Sequence, residues 1–264
     1  MRLYKRNLEV IIGESDGSAI SITDLYIQIE IKKTLTSAPN EGTVTIYNLS
    51  DTTETLIKDK GVRIRVLGGY NGQSALLFDG DIRKVERNKQ PPERMTVVTM
   101  GGNVYKITDA IANISYAGPI SVKQVITDTI SEFGLSYTGL ELIPDSTLND
   151  FSFTGRTADL YDQILTPLNL SWFEDSGFIL FSIIGSSTET VALLNSTSGL
   201  IGSPAVTDEG IKAVSLLNAN IRPGGRVKVE SKLVTGIYKV TQLVYRGDNR
   251  EGDFFTEFLG ADSD

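Results

Sequence analysis

The chain has 264 residues, enough for one large domain or two to three small ones. It contains neither Cys nor His, which excludes disulfides, thiolate nucleophiles, Cys/His zinc sites and a Ser-His-Asp triad, so catalysis would need carboxylates, Lys, Tyr or an oxygen-ligated metal. The net charge of −8 argues against general nucleic-acid binding, because that affinity comes mostly from Lys and Arg displacing counterions.

The sequence shows no segment for export or membrane insertion. Residues 1–6 are basic, but the apolar stretch that follows is interrupted by Glu9 and stops at Gly13, too early for a secretory signal. The longest apolar stretch, 178–184, is far shorter than the roughly 18 residues of a membrane span. We therefore expect a soluble chain without a membrane-spanning segment, made in a cytoplasm.

The first third alternates apolar with polar residues, as half-buried β-strands do. Six strand-like stretches occur at near-even spacing, at 8–12, 26–31, 42–47, 62–66, 76–85 and 94–99. The turns between them are predicted at Asp16-Gly17, Pro39-Asn40, Gly68-Gly69, Asn71-Gly72 and Pro91-Pro92. With one short helix expected at 51–58, this pattern predicts a small barrel or sandwich.

The apolar period changes to that of helices between about residues 103 and 200 and returns to that of strands afterwards. The middle elements are a helix capped by Ser121 and ended by Gly134, a second helix over 157–165, and a hairpin of strands 170–174 and 178–182. The last third has strand-like stretches at 214–217, 226–230, 236–246 and 254–258. The middle is therefore an α+β unit inside a mainly β protein.

The two β regions share an order of elements that indicates duplication. Each has a strand, a glycine that opens a second strand with the pattern Ile-x-Lys-Val, a polar turn, a third strand and a closing glycine. The Ile-x-Lys-Val segments begin at Ile82 and Ile237, and the closing glycines are Gly101 and Gly260. The loop lengths differ, which leaves chance similarity between β regions as the alternative. A true duplication would let three chains present six similar units around an axis.

The order of several short motifs resembles that of phage baseplate hub proteins. The motifs are, in chain order, Tyr47-Asn48-Leu49-Ser50, Leu77-Phe78-Asp79-Gly80, Trp172-Phe173-Glu174, Gly199-Leu200-Ile201-Gly202-Ser203-Pro204, Ile221-Arg222-Pro223-Gly224-Gly225 and Tyr245-Arg246-Gly247-Asp248. Each motif is short and only their order is specific. Tyr245 stands where relatives often carry His.

This resemblance implies a fold of two tail-tube-like antiparallel β-barrels flanking a small α+β middle domain, as in late control protein D and type VI secretion spike hubs. The expected domains are a first barrel over 1–102, an inserted domain over 103–200 and a second barrel over 201–264. The resemblance also implies a structural protein of the virion that is not an enzyme and has no catalytic residues, cofactor or metal.

The resemblance further implies a homotrimeric hub at the tail baseplate or tip, assembled in the host cytoplasm. Such a hub terminates the tail tube above, docks a spike or needle below and adapts sixfold to threefold symmetry. Neighbouring baseplate proteins and the tape measure protein are further expected partners. DNA would pass through a channel without specific binding. The acidity of the chain would help DNA to pass only if acidic groups line that channel, because their repulsion of DNA reaches about 8 Å at physiological salt.

Three loops superficially suggest ligand sites. Residues 145–150 and 248–253 are acidic but lack the ligand spacing of calcium loops, so we interpret them as ordinary turns. The glycine-rich residues 68–72 lack the spacing of phosphate-binding loops and are typical of a hairpin turn.

Two functions from other classes are weighed against the hub. A cell-wall glycosidase would use carboxylate pairs, for which Asp79 with Asp81 and Glu174 with Asp175 are candidates, although we expect these four to be solvated strand ends. A β-rich tail module that binds host-surface glycan would use Trp172 and Tyr residues as stacking platforms.

The side chains that such a platform needs, Trp172, Phe173, Phe178 and Phe181, are equally typical of a hairpin core, which we favour. The Lys and Arg of strands 62–66 and 226–229 alternate with apolar residues. We expect these charged faces to be solvated or paired across a subunit boundary.

Overall fold

A computed structural model describes residues 5–13, 19–57, 62–90, 93–102, 105–187 and 191–263. Its first part contains β1 (Arg6–Gly13), β2 (Ala19–Ile22), β3 (Ile27–Thr34), β4 (Glu41–Tyr47), α1 (Asp51–Leu56), β5 (Arg63–Tyr70), β6 (Gln73–Gln90) and β7 (Glu93–Gly101). Ser50 caps α1 by accepting a hydrogen bond from the backbone N–H of Thr53. The predicted turns at Asp16-Gly17 and Pro91-Pro92 lie outside the described residues.

The middle part is the α+β unit, whose elements span residues 105–183. They are α2 (Tyr105–Thr108), β8 (Ile111–Ser115), β9 (Pro119–Ser121), α3 (Val122–Phe133), β10 (Ser136–Thr138), β11 (Thr147–Asn149), β12 (Ser152–Arg156), α4 (Thr157–Leu165), β13 (Leu170–Asp175) and β14 (Phe178–Ile183). The Ser121 side chain accepts from the Gln124 N–H, and Gly134 adopts the left-handed conformation that ends α3. Both predicted helices and the hairpin of this unit are confirmed.

The last part contains β15 (Val191–Leu194), β16 (Leu200–Thr207), β17 (Gly210–Leu216), β18 (Arg226–Glu230), β19 (Thr235–Asp248) and β20 (Phe254–Asp262). β15 and β16 were not among the predicted strands. Gly202 and Pro204 weaken the strand signal of β16, which tolerates Pro because, among the described residues, it pairs on one side only.

One large sheet unites the first and last parts. Its main path runs β16-β17-β20-β19-β3-β4-β7-β6-β5-β1-β2, and β18 joins β19 to β15 off that path. The mainly β fold with an α+β insertion is confirmed. The detail of two separate barrels is not, because the strands form one 13-stranded sheet over one continuous apolar core. The domain boundaries stay a prediction, and β15, placed before residue 200, pairs within the large sheet.

The two β regions nevertheless repeat the same local topology. β5-β6-β7 and β18-β19-β20 are both antiparallel three-stranded meanders. Each long middle strand has a bulge, after Ile82 in β6 and after Val240 in β19. The residues before the bulges pair with Met100 and Gly260 respectively, which aligns the two meanders residue by residue. This register differs from the alignment of Ile82 with Ile237 that the sequence suggests.

The α+β unit has a separate apolar core. α3, α4 and the β13-β14 hairpin enclose it with fully buried Val125, Ile126, Leu160, Tyr161 and Leu165. Apolar positions at helical spacing on α3 and α4 face this core, as their sequence periodicity predicts. The unit therefore has its own interior and meets the large sheet along a surface.

Candidate functional site

The tip of the β13-β14 hairpin is buried where the α+β unit meets the large sheet. Ser176 and Gly177 both have positive φ angles, 53° and 84°, as a two-residue hairpin turn of the right twist requires. The adjacent Glu174 and Asp175 are 2% and 8% exposed. A turn is normally solvated, so this buried acidic tip is the structural junction of the molecule.

Lys33 from β3 neutralises this tip. Its Nζ donates to Asp175 Oδ1 at 2.5 Å and to Ser176 Oγ at 3.1 Å, and Lys33 is only 1% exposed. Arg222 lies 3.7 Å from the other carboxylate oxygen. Burial alone would raise the pKa of Asp175, but the charge and hydrogen bond of Lys33, helped by Arg222, hold that pKa below its usual value. Asp175 is therefore a buried carboxylate held in its ionised form.

Neighbouring groups complete the junction. Asn40 donates its side-chain amide to the Glu174 carbonyl at 2.7 Å. A Cβ at Gly102 would overlap the carboxylate of Glu174, so a larger residue there would have to displace that carboxylate. Tyr245 is fully buried beneath Lys33, with its ring centroid 6.0 Å from the Nζ, and its hydroxyl donates to the Ile221 carbonyl. Strands from both β regions thus hold the hairpin tip.

The four carboxylates considered for glycosidase chemistry are buried rather than solvated, so our expectation of solvated strand ends was wrong. Asp79 and Asp81 are 8% and 7% exposed. Asp79 accepts two hydrogen bonds from Arg63, each at 2.8 Å, in a bidentate pair. Asp79 and Asp175 thus serve as ion-pair partners that fix the strands.

Trp172 is buried, so it cannot act as a glycan platform. It is 3% exposed, its Nε1 donates to Asp162 Oδ1 at 2.8 Å, and its ring meets Tyr161 edge to face at 5.6 Å. Phe173 and Phe181 are buried as well, and Phe178 alone of the four predicted aromatics is half exposed. The preferred interpretation of these residues as hairpin core is confirmed for three of them.

We expect Trp172→Phe to lower the free energy of unfolding by about 1–2 kcal/mol, because it removes the hydrogen bond to Asp162 and part of the contact with Tyr161. Chemical denaturation measures this loss. Phe178→Leu, on the exposed side of the same hairpin, is the control and should change stability by less than about 0.5 kcal/mol. Equal effects of the two changes would contradict the assignment of Trp172 to the core.

The two calcium-like loops have structural roles. Asp145 pairs with Lys123, and Asp150 accepts from the Gly118 N–H. Among the described residues, no group of three or more acidic side chains is arranged to hold a metal ion.

Asp248 ties the 248–253 loop to the start of β3. It accepts from the backbone N–H groups of Arg250 and Glu251, from the Tyr26 hydroxyl at 2.7 Å and from Gln28 at 2.9 Å. Burial opposes ionisation, but these donors hold the pKa of Asp248 below its usual value, and the same contact raises the pKa of Tyr26 to about 12. The loop therefore fastens the last part of the chain to the first.

The remaining predicted motifs are local structure. Asn71 and Gly72 have φ angles of 55° and 76° and form the hairpin turn between β5 and β6, as predicted. The cation of Arg63 pairs with Asp79, and that of Lys228 pairs with Glu230 at 2.7 Å, so both are satisfied within the chain.

Open strand edges are the features of the described structure best suited to assembly. β16 pairs only with β17, and the part of β6 beyond Asp81 pairs only with β7. Val206 on β16 is 74% exposed, unusual for an apolar residue within a strand. Sequence reasoning missed both this edge and Lys33. The burial of Lys33 could have been predicted from strand alternation, which places it on the same side of β3 as Ile27, Ile29 and Ile31.

In the part of the chain that the structure describes, no helix is both long and apolar enough to cross a bilayer.

Comparison with solved structures finds the same fold in phage tail proteins. The tail protein from Neisseria meningitidis MC58 is 10% identical, with a TM-score of 0.70 over 98% of this chain and 97% of that one. The 43 kDa tail protein of prophage MuSo2 from Shewanella oneidensis is 8% identical, with a TM-score of 0.68 over 97% and 98% of the two chains.

The E. coli c3393 protein, a component of the type VI secretion system, is 11% identical, with a TM-score of 0.63 over 90% of this chain and 74% of that one. It is described as structurally similar to the T4 tail proteins gp27 and gp5. No curated protein matches the chain.

A family model described as Baseplate hub gp41 matches residues 7–260, nearly the whole chain. The resemblance inferred from short motifs and the fold shared with tail proteins agree with this match. The chain therefore belongs to the Baseplate hub gp41 family and is a structural component of the phage tail baseplate.

Proposed function

We propose that this hub is a non-enzymatic homotrimer that terminates the tail tube, adapts its sixfold symmetry to a threefold spike and leaves a channel for DNA. The observation that carries this proposal is the internal repeat of strand order. The first part reads β1-β5-β6-β7-β4-β3 and the last reads β15-β18-β19-β20-β17-β16 across the sheet. In each part the last-listed strand follows the opposite end of the order closely in sequence: β3 follows β2, which lies next to β1, and β16 follows β15. The two parts differ at that end, because β1 is antiparallel to β5 whereas β15 is parallel to β18. We infer that each part closes as a barrel-like unit.

The aligned bulges identify equivalent residues in the two parts. Met100 and Gly260 are equivalent because each pairs with the residue before a bulge. Two strands across from Met100 lies Ile31 on β3, and two strands across from Gly260 lies Val206 on β16. Val206 is therefore the counterpart of Ile31.

These counterparts differ sharply in burial. Ile31 is 0% exposed because β3 pairs on its second side with β19, where Ile31 lies opposite Tyr245. Val206 is 74% exposed because β16 has no partner on that side among the described residues. The counterpart of the β19 segment that receives β3 is the part of β6 beyond its bulge, and its second edge is open too. The contact between β3 and β19 is thus made within the chain. Its two equivalent strands, β16 and the part of β6 beyond the bulge, each have an open edge instead.

We infer that β16 of one subunit pairs with β6 of the next, in the way that β3 pairs with β19 inside the chain. Such a contact is head to tail and forms a ring if the rotation closes. Every chain contributes two equivalent units, so three chains supply six. These six units form a surface that nearly matches the symmetry of the sixfold tail tube. The spike or needle below, neighbouring baseplate proteins and the tape measure protein are the partners we propose for the remaining surfaces.

The oligomeric state of the purified protein tests this proposal. Sedimentation should give three times the chain mass of 28.8 kDa, and electron microscopy should show a ring with six inner units. A protein that remains a monomer at every concentration would contradict the proposal, as would a ring with a number of inner units other than six.

A further inference from the structure

The side of the large sheet that faces away from the core is exposed and mainly polar. We call it the open face, formed by β17, β20, β19 beyond its bulge, β3, β4, β7 and residues 84–88 of β6. An open groove of about 550 Å³ runs along it between β3 and β4, lined by polar side chains that include Gln28, Thr43 and Thr45. Strands β1, β2, β5, β15 and β18 complete the core and are absent from this face, and β16 is the edge strand beside β17.

The described charged side chains on the open face nearly balance in sign. They are four cations and five anions, namely Lys32, Lys84, Lys212, Arg246, Glu30, Glu41, Glu86, Glu257 and Asp248, which accepts from Gln28 on this face. The face therefore carries a net charge of only −1, and three copies of it would carry −3.

Three of the four described cations of the open face lie within 4 Å of a carboxylate. Lys212 is 2.9 Å from Glu257, and Lys84 is 2.7 Å from Glu86. Across the seam between the two parts of the chain, Arg246 is 3.6 Å from Glu30.

The fourth cation, Lys32, stands directly opposite Glu41 in the β3-β4 register. Every described cation of this face thus has a carboxylate within ion-pair distance or directly opposite it, which weakens its attraction for a phosphate group.

The negative charge of the chain lies elsewhere. Residues 105–187, which contain the α+β unit, hold ten Asp or Glu and three Lys or Arg, so they carry −7 of the net −8. Acidity would repel passing DNA only where acidic groups line the channel, and the open face has no large excess of acidic groups. A polyanion passing over that face would meet paired charges and amide and hydroxyl groups.

We propose that the open face lines the DNA channel, and that DNA slides over it because three of its four cations are paired with carboxylates and the fourth, Lys32, stands opposite Glu41. This inference rests on the proposed trimeric ring. In the proposed ring, sheets of neighbouring chains join through their β16 and β6 edges. The strands and the α+β unit on the core side of each sheet then fit only on the outside of the ring, so the open face points inward. Affinity for DNA depends on Lys and Arg that can displace counterions, and paired cations do so weakly.

Removing three carboxylates tests the pairing. The face variant Glu30→Gln, Glu86→Gln, Glu257→Gln frees three cations per chain on the open face. The matched control Asp109→Asn, Glu132→Gln, Glu141→Gln makes the same change in net charge on exposed positions of the α+β unit. Binding is measured at low salt with a linearised plasmid and with the same plasmid as a closed circle, which cannot thread a ring.

We expect the face variant to bind linear DNA at least about tenfold more tightly than the native protein, with affinity falling steeply as salt rises. The closed circle should bind no better than it does to the native protein, and the control should bind neither form. Equal binding of linear and circular DNA by the face variant would overturn the proposal, because the face would lie outside the ring. No binding of either form, or equal gain in the control, would also overturn it. Sedimentation of the same samples separates these results from failure of the trimer itself.

Discussion

Lys33→Met should destabilise the protein by about 3–5 kcal/mol, because it leaves the buried Asp175 with Arg222, 3.7 Å away, as its remaining described cation partner. The native pair is 1% and 8% exposed, so water cannot replace the lost partner. For a chain of this size the loss corresponds to a fall in Tm of roughly 2–4 °C per kcal/mol. Thermal and chemical denaturation measure it, with the hub in one oligomeric state throughout.

The double variant Lys33→Met, Asp175→Leu is the matched control. It removes both charges, so it should recover most of the stability that the single variant loses. The pH dependence gives a second check. Because the pKa of Asp175 is lowered in the folded protein, its contribution is complete above the ordinary value of 3.8 and is lost as the pH falls through the lower folded pKa. In Lys33→Met, burial without Lys33 raises the pKa of Asp175, so protonation removes the unpaired charge of the variant before it breaks the native pair. The difference in stability between native protein and Lys33→Met should therefore shrink as the pH falls from neutral.

Either of two results would contradict this account of the junction. One is a single variant as stable as the native protein. The other is a double variant as unstable as the single one, which would mean that Lys33 stabilises the fold through its methylene chain rather than its charge.

Local patterns predicted the elements whose signals lie within a few residues. The cap at Ser121, the left-handed Gly134 and the apolar spacing between them define α3 without help from the rest of the chain. The Asn71-Gly72 turn is equally local. The order of two meanders was visible as well, because each is built from neighbouring strands.

Burial of the acidic hairpin tip could not be predicted in the same way. Lys33 and Asp175 are separated by 142 positions, so the contact depends on how the α+β unit packs on the sheet. Lys32 and Lys33 look alike in sequence, yet one is exposed and the other is among the most buried side chains. Strand alternation gives the side on which Lys33 lies, but only tertiary packing decides that this side is covered.

The sequence pattern could not predict the register of the internal repeat either. The Ile-x-Lys-Val match aligns Ile82 with Ile237, whereas the bulges align Ile82 with Val240. Short apolar and basic patterns recur by chance in β proteins, but a bulge at the same step of two meanders is a specific geometric event. The assembly edge could be located only after this structural alignment.

The central claim predicts a particular pair of residues across the subunit boundary. Within the chain, Lys32 on β3 lies opposite Val244 on β19. The aligned bulges make Thr207 the counterpart of Lys32 and Glu86 the counterpart of Val244. Directly opposed residues of antiparallel strands have Cβ atoms about 4.5–5.5 Å apart, so thiols at these positions can form a disulfide after a small shift.

The most direct measurement is therefore oxidation of the variant Thr207→Cys, Glu86→Cys, which carries the only two thiols because the native chain has no Cys. The control Thr207→Cys, Gln163→Cys places the second thiol on the exposed side of α4. On a denaturing, non-reducing gel we expect covalent dimers and trimers from the first variant, with the trimer as the largest species, and monomers from the control. A protein that sediments as a trimer but gives no more cross-linked species than the control, or a ladder that continues beyond three chains, would contradict the account.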